Sequence, residues 1–290
     1  MIQFLFKRSF LIAFFLIISI LIIFLFGDSY MFSSVDVTNF KPNKNITIIA
    51  HRGASSVAPE NTLIAIKKAL DFEADIIEID VFQTSDSVVI LMHDETLDRT
   101  TNGEGRIEEH SYLELSRLEA GSWFSPSFAR EPIPRLEEVI ELINGEARLL
   151  IEIKEGGNNI EQNVLKIINQ YKAKDWCIVQ SFDAGVVQTV KDLDKNIEVH
   201  QLAVGNISAL PFHWNRGLRI GSVYQYNNTS HINLNYQYVS AKVVRKIHEQ
   251  GQKIYVWTVN KPEDMRRLAA MGVDGIITDY PDVAKKILKK

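Results

Sequence analysis

The chain has 290 residues, 46% hydrophobic and 23% charged, which is a globular composition with enough material for one large domain or two small ones. Its formal net charge is −4 and it carries no long run of Lys and Arg, so composition excludes an electrostatic basis for nucleic-acid binding, and we expect no nucleic-acid partner. The single cysteine, Cys177, stands among apolar residues and is predicted to be a buried core thiol.

The first element along the chain is an apolar segment. Residues 10–26 read FLIAFFLIISILIIFLF, and a helix over residues 9–26 would nearly cross a hydrocarbon core about 30 Å thick. Because Lys7 and Arg8 precede it, the amino terminus is predicted to lie in the cytoplasm. We therefore expect residues 1–27 to be a single-pass anchor in the cell membrane, with the rest of the chain on the extracytoplasmic side. A cleaved signal peptide is the alternative, although no clear A-x-A site follows.

A polar connection separates this segment from a region of regular alternation. Residues 28–44 contain Ser, Asp, Asn and Pro without apolar periodicity, which is typical of a linker. Over residues 45–290, short apolar runs alternate with segments of helical period. The predicted strands are Ile46–Ala50, Ile76–Phe82, Val88–Met92, Leu149–Ile153, Cys177–Ser181, Glu198–Val204, Ile232–Tyr238, Ile254–Val259 and Gly275–Thr278. The predicted helices are Pro59–Phe72, Leu136–Ile143, Ile160–Tyr171, Ala184–Leu193, Ala241–Glu249, Pro262–Ala270 and Val283–Leu288.

The alternation predicts an α/β fold. Runs such as LLIEI and IYVWTV are apolar on both faces, as strands buried in a parallel sheet must be. About eight strand and helix units favour a (β/α)8 TIM barrel over an open doubly wound sheet, which usually has fewer. Residues 95–134 form a long polar insertion, and residues 205–231 carry scattered aromatic residues without a firm period. Long loops of this kind are often functional when they lie over an active face.

Polar residues lie in or just after several predicted strands, toward the carboxyl ends, where the catalytic groups of a barrel lie. They are His51, Arg52, Glu78, Asp80, His93, Asp94, Glu152, Lys154, Gln180 and Trp257. Glu78 and Asp80 stand two apart on one strand, so their side chains point to the same face. A salt bridge with Lys or Arg is the simpler explanation for a single carboxylate at such a position, but it explains three of them less well. We therefore expect Glu78, Asp80 and Glu152 to bind one divalent cation, Mg²⁺ or Ca²⁺.

The remaining strand-end residues are of the types that bind and cleave a phosphate ester. His51 and His93 together offer a proton acceptor and a proton donor near neutral pH, although either alone could be a core histidine. Arg52 and Lys154 add positive charge beside the expected cation, and phosphate is the substrate group that most needs it. The pattern indicates metal-assisted phosphoryl transfer.

Several motifs together resemble the glycerophosphodiester phosphodiesterase family. They are AHRGASSVAPENTLIAIKKAL, IIEIDVFQTSDSVVILMHDETLDRTTNGEG, LLIEIKE, IYVWTVN and GVDGIITDYP, and the likeness runs from about Ile46 to the carboxyl terminus. The order of HRG, PENT, E-x-D and HD is highly specific. No pattern of the family is recognised in residues 205–231.

The resemblance implies a barrel, a covering insertion at residues 95–134 and a role for each site residue. It implies metal ligands at Glu78, Asp80 and Glu152, an acid and base pair at His51 and His93, phosphate-binding groups at Arg52 and Lys154, a residue beside the site at Glu60, and an aromatic residue lining the pocket at Trp257.

The implied activity is hydrolysis of a glycerophosphodiester to glycerol 3-phosphate and an alcohol, through attack by the glycerol 2-hydroxyl. The expected partners are therefore a small-molecule glycerophosphodiester and the membrane. A lysophospholipase D acting on lysophospholipids is a second interpretation, which a membrane anchor favours. A catalytically inactive barrel that serves as a binding module is the third, although no expected ligand or histidine is missing.

Overall fold

A computed structural model describes residues 45–206, 212–214 and 218–289. The predicted anchor helix at residues 9–26 and the predicted linker at residues 28–44 lie outside the described residues. Within the described ranges, every helix is too short or too polar to cross a membrane.

Helices and strands alternate along most of the described chain. The strands are β1 (Thr47–Ala50), β2 (Ile76–Gln83), β3 (Val89–Leu91), β4 (Arg148–Ile153), β5 (Cys177–Ser181), β6 (Glu198–Ala203), β7 (Gly205–Asn206), β8 (Phe212–Trp214), β9 (Leu218–Ile220), β10 (His231–Asn235), β11 (Lys253–Trp257) and β12 (Gly275–Thr278). The α-helices are α1 (Leu63–Asp71), α2 (Tyr112–Leu115), α3 (Leu136–Ile143), α4 (Ile160–Gln170), α5 (Ala184–Leu193), α6 (Ala241–Glu249), α7 (Pro262–Ala270) and α8 (Pro281–Leu288).

Eight parallel strands close into a barrel. Hydrogen-bonded neighbours follow the order β1, β12, β11, β10, β6, β5, β4 and β2, and β2 pairs with β1 to complete the ring. The predicted TIM barrel is confirmed. Because all eight strands run in the same direction, their carboxyl ends meet at one end of the barrel, which we call the top, and their amino ends meet at the floor.

Apolar side chains fill both sides of the sheet, which explains the continuous apolar runs in the sequence. Outward-facing residues pack against the surrounding helices in two large clusters. Cys177 lies in one of them and is buried, as predicted, and burial raises the pKa of its thiol to about 12. A smaller cluster lies inside the barrel, between the top and the floor, and consists of Ile49, Ile76, Leu150, Ile178, Tyr255 and Ile277.

Several predicted boundaries shift by a few residues, as for the strand predicted at Ile232–Tyr238, which ends at Asn235, and two elements differ more. The strand predicted at Val88–Met92 is β3, which pairs antiparallel with β2 and stands outside the barrel ring. Only five residues separate β2 from β3, too few for the helical crossover that a parallel pair requires. The helix predicted from Pro59 begins instead at Leu63, because Thr62 caps it by accepting a hydrogen bond from the Ala65 amide.

The insertion at residues 95–134 has a small core of its own. Leu97, Ile107, Leu115 and Ile133 are buried there together with Phe82 and Ile90 of the hairpin. The insertion contains α2 and two short 3₁₀ helices, Ile107–Glu109 and Pro126–Phe128. This core holds the insertion against β2 and β3, next to the top of the barrel.

Candidate active site

The first strand ends in a histidine held by a carboxylate. His51 follows β1, and its Nδ1 lies 2.6 Å from Asp279 Oδ1, just beyond β12. Asp279 also accepts hydrogen bonds from Asn260 and Ser55. Burial opposes the ionised form of Asp279, but these hydrogen bonds, led by that of His51, lower its pKa to about 2. The charged carboxylate therefore fixes the orientation of the imidazole.

The turn after His51 depends on an unusual backbone. Arg52 and Gly53 have φ values of 57° and 82°, in the left-handed region. A Cβ at Gly53 would lie 2.7 Å from the Ala65 backbone of α1, so only glycine fits this turn. The turn brings the Arg52 amide to 2.9 Å from Glu78 Oε2. The glycine of the HRG motif thus allows the chain to approach the neighbouring strand.

Arginine and carboxylate side chains connect this turn to the second histidine. Glu60 binds Arg52 at 2.7 Å and receives two hydrogen bonds from Arg99 of the insertion. Arg99 Nε also donates to Asp94 Oδ2 at 2.6 Å, and Asp94 Oδ1 lies 2.6 Å from His93 Nδ1. The hydrogen bond from Arg99 lowers the pKa of Asp94 to about 2. Each histidine is thus oriented by an ionised aspartate.

Three carboxylates meet at the top of the barrel. Glu78, Asp80 and Glu152 are buried, and one oxygen atom from each lies within 4.8 Å of the others. Burial and the two neighbouring carboxylates raise the pKa of Glu78 well above its usual value. Burial also raises the pKa of Glu152, to about 7, although Lys154 opposes it. The three groups are therefore close enough to repel one another strongly.

Asp80 has the most partners in this cluster. Lys154 Nζ and Arg52 Nε lie 3.3 Å and 3.1 Å from its two oxygens. Asn61 donates to Asp80 Oδ2 at 2.9 Å and accepts from the Asp80 amide at 3.1 Å. Burial favours the neutral form of Asp80, but Lys154 and Arg52 hold its pKa well below the usual range. Asp80 is thus ionised and fixed in position.

The carboxylate cluster fits a divalent cation. Its three carboxylates face two cationic side chains, Arg52 and Lys154, and Lys154 also binds Glu152 at 2.7 Å. Among the described residues, Glu78 has no ion pair: it accepts from the Arg52 amide and from Gln180, whose Nε2 lies 3.4 Å away. An all-oxygen donor set suits a hard cation such as Mg²⁺ or Ca²⁺.

These groups surround a pocket at the top of the barrel. It is lined by His51, Arg52, Glu78, His93, Glu152, Lys154, Gln180, Phe182, Leu202, Trp257, Thr258 and Ile277. One wall is charged and the opposite wall is apolar. Trp257 donates to the Asn233 carbonyl at 3.1 Å, and its ring meets Phe182 edge to face at 5.5 Å between centroids. The pocket can therefore hold an anionic group against the charged wall and carbon atoms against the rings.

The structure brings most of the expected site residues to this pocket. Seven line it directly: His51, Arg52, Glu78, His93, Glu152, Lys154 and Trp257. Asp80 joins through the carboxylate cluster, and Glu60 lies behind Arg52, held by two arginines. Sequence reasoning missed Asp279 and Arg99. Asp279 directly follows a buried strand, so the rule that found the other residues also applies to it.

Comparison with known proteins places this geometry in one family. Residues 51–283 match the model of the glycerophosphoryl diester phosphodiesterase family. The Bacillus subtilis protein YhdW is 40% identical over 237 residues, which cover 81% of this chain and 95% of that protein. A glycerophosphodiester phosphodiesterase of Caldanaerobacter subterraneus is 36% identical over 247 residues, covering 84% of this chain and 98% of the relative.

Solved structures of similar proteins also match this chain. A phosphodiesterase from Oleispira antarctica, in complex with the product sn-glycerol-3-phosphate, superposes with a TM-score of 0.75 at 27% identity, covering 84% of this chain and 97% of that one. A glycerophosphodiester phosphodiesterase from Agrobacterium tumefaciens gives 0.71 at 28% identity, covering 83% and 100%. The family model matches residues 51–283, which are most of this chain. This chain therefore belongs to the glycerophosphoryl diester phosphodiesterase family.

Proposed function

We propose that the pocket hydrolyses glycerophosphodiesters to glycerol 3-phosphate and an alcohol. The observation that carries this proposal is the convergence of three buried carboxylates, two cationic side chains and two aspartate-held histidines on one pocket. The names of the relatives support the substrate class, as does the product in the solved Oleispira structure.

The substrate phosphate would lie against Arg52 and Lys154. Both side chains are mostly buried, and both already contact Asp80, so they are held in place before substrate arrives. Glu78, Asp80 and Glu152 would hold the divalent cation. When bound, the cation supplies further positive charge to polarise the phosphoryl oxygens. The glycerol carbons would face the apolar wall at Trp257 and Phe182.

His51 and His93 would move the protons. Each has its Nδ1 bound to an aspartate at 2.6 Å, which leaves Nε2 as the nitrogen for the substrate proton. Burial lowers the pKa of His93, which favours the neutral imidazole. One histidine accepts the proton of the attacking oxygen, and the other protonates the alcohol oxygen as its bond to phosphorus breaks. The family resemblance implies that the glycerol 2-hydroxyl attacks first and that water then opens the cyclic phosphate.

Product analysis with the full chain tests this activity. The chain is incubated with glycerophosphocholine or lysophosphatidylcholine, with Mg²⁺ or Ca²⁺, and both glycerol 3-phosphate and lysophosphatidic acid are measured. We expect glycerol 3-phosphate as the main product. Faster formation of lysophosphatidic acid would instead identify a lysophospholipase D. No turnover above that of a double His51→Ala, His93→Ala control would favour a binding module.

We further propose that residues 9–26 anchor the chain in the cell membrane with the barrel on the extracytoplasmic side. The apolar run and the preceding Lys7 and Arg8 support this topology. A reporter that is active only in the cytoplasm, fused after Lys290, should be inactive in the full chain and active when residues 1–27 are deleted. Activity in the full-chain fusion would contradict the topology.

A further inference from the structure

A second cluster of ligand-type side chains lies at the floor of the barrel, at the opposite end from the pocket. It consists of Glu198, His200 and His231, and one donor atom from each lies within 4.8 Å of the others. Glu198 and His231 are the first residues of β6 and β10, which are adjacent strands. The two imidazole rings stack at 3.9 Å between centroids. We call these three residues the floor cluster.

The floor cluster is organised around one carboxylate oxygen. Glu198 Oε1 lies 2.9 Å from His200 Nε2 and 3.4 Å from His231 Nδ1. Arg148 binds the other oxygen, Oε2, at 2.5 Å. Burial alone would favour the neutral acid, but the bonds from His200 and Arg148 hold the pKa of Glu198 well below its usual range. The carboxylate is therefore ionised and oriented toward both imidazoles.

Both imidazoles are buried, and each has one ring nitrogen near Glu198 Oε1. His231 Nδ1 lies 2.9 Å from Ser230 Oγ, whereas the buried Nε2 has no hydrogen-bond partner among the residues that the structure describes. A buried nitrogen without a partner is unfavourable, so His231 keeps one ring nitrogen that a ligand could satisfy.

We propose that Glu198, His200 and His231 form a binding site for a divalent transition metal, with Zn²⁺ the best fit. Two imidazoles and one carboxylate are a common donor set for zinc, and they leave a fourth position for water. Mg²⁺ and Ca²⁺ prefer oxygen ligands, so a site with two imidazoles suits neither of these ions. The Glu198 side chain is 29% exposed, so the site is open to solvent on one side. The bound ion would link β6 to β10 at the floor.

The competing explanation is a hydrogen-bonded cluster that binds no ion. Arg148 already balances the charge of Glu198, and its positive charge opposes a metal. If the cluster is only hydrogen-bonded, the protein should bind no zinc there and neither imidazole should ligate a metal. Measuring metal binding therefore distinguishes the two explanations.

Zinc binding is measured on the full chain after removal of metals, by equilibrium dialysis with Zn²⁺ in the presence of excess Mg²⁺. A Glu152→Gln background disables the carboxylate cluster at the top, so that any retained zinc is bound elsewhere. We expect one equivalent of Zn²⁺ in this background. His200→Gln and His231→Gln should each weaken zinc binding by more than about 100-fold. This is more than the usual effect of losing a residue that only hydrogen-bonds to a metal ligand.

His248→Gln is the matched control, because His248 also pairs with one carboxylate, Asp274, at 2.8 Å but forms no group with a second histidine among the residues that the structure describes. This control should keep the full zinc affinity. Unchanged zinc binding in both floor variants, or none in the Glu152→Gln background, would overturn the proposal.

A second measurement does not depend on whether the floor variants fold. X-ray absorption of zinc-loaded protein in the Glu152→Gln background should show two imidazole ligands and one carboxylate. Thermal unfolding of the same protein should shift upward on addition of Zn²⁺, because an ion that binds only the folded state stabilises it. A spectrum with oxygen ligands alone would overturn the proposal. Since this site is separate from the pocket, the result is independent of whether the chain turns over glycerophosphodiesters.

Discussion

The two ends of the barrel hold charged groups in different ways. At the top, three buried carboxylates face Arg52 and Lys154, and Glu78 has no ion pair among the described residues. At the floor, one carboxylate faces one arginine and two neutral imidazoles. The donor atoms at the top are oxygens, which suit a hard cation, whereas the floor adds two imidazole nitrogens, which suit a transition metal. The two ends of the barrel thus differ in the kind of ion that their side chains suit.

An apolar layer keeps the two environments apart. Ile49, Leu150, Ile178 and Ile277 lie between them and are almost completely buried. We therefore expect substitutions at the top to change activity, whereas substitutions at the floor should change stability and leave activity nearly unchanged. The following predictions, from the largest effect to the smallest, test this division.

Replacing either histidine of the pocket should have the largest effect. His51→Ala and His93→Ala should each lower kcat by roughly 10² to 10⁴-fold, the usual contribution of a general acid or base, with metal affinity nearly unchanged. Steady-state kinetics measures kcat, and metal titration measures the metal affinity. A substrate whose departing alcohol is already acidic, such as a nitrophenyl phosphodiester, needs little protonation, so the variant that lacks the acid should recover much of its rate.

Equal impairment of both histidine variants on both substrates would contradict the division into acid and base. In that case at least one histidine would bind phosphate or hold the loop instead.

Neutralising a carboxylate at the top should act through the cation. Glu78→Gln, Asp80→Asn and Glu152→Gln should each weaken Mg²⁺ or Ca²⁺ binding and lower activity at least about 100-fold at limiting metal. Excess metal should restore part of the activity, because the other ligands remain. Glu146→Gln, an exposed glutamate on the loop before β4, is the control and should be unaffected. Full activity of one variant at limiting metal would remove that residue from the site.

Asp279 should make stability depend on acid pH. Its pKa is about 2 in the folded protein against an ordinary value near 3.8, so its contribution is complete above pH about 4 and is lost as the pH falls toward about 2. Asp279→Asn should lower the free energy of unfolding by at most about 2 kcal/mol at pH 6. Urea unfolding at several pH values should show this difference shrinking below pH about 4. A difference that does not vary with pH would assign the effect to lost packing.

Arg148 tests the floor with the smallest expected change. Arg148→Met removes the ion pair with Glu198 and should lower the free energy of unfolding by about 1 kcal/mol, since the arginine is partly exposed. Activity should stay within about twofold of the parent protein. The matched control is Arg267→Met, which removes a pair with Asp264 on one helix and should change stability by less than about 0.5 kcal/mol. A large loss of activity in Arg148→Met would break the division between top and floor.

The sequence predicted the top of the barrel far better than the floor. His51, Glu78 and Glu152 were predicted because they are polar residues in or just after apolar runs, and parallel strands bring such positions together. The same rule would also have predicted Asp279, which directly follows the last strand. Arg99 could not be found this way, because it comes from the insertion and reaches the site only through the folded path of that segment.

The floor was missed because its residues stand at the starts and in the middle of strands. In HINLNYQY and at the start of EVHQLAV, polar and apolar residues alternate, which by itself fits a strand with one face in water. Only closure of the barrel turns that polar face inward. The antiparallel β3 was likewise predicted as an ordinary strand, and its partner and direction follow from the short connection to β2.

Two amides cross the apolar layer, and they give the interior of the barrel a direction. Gln180 donates to Glu78 at 3.4 Å, so its carbonyl oxygen faces Asn233, which donates to it at 2.8 Å. Each amide has one donor end and one acceptor end, so the orientation of the first determines that of the second. The Asn233 nitrogen also lies 3.3 Å from His200 Nδ1. The two amides therefore carry the hydrogen-bond polarity that is set at Glu78 as far as His200, near the opposite end of the barrel.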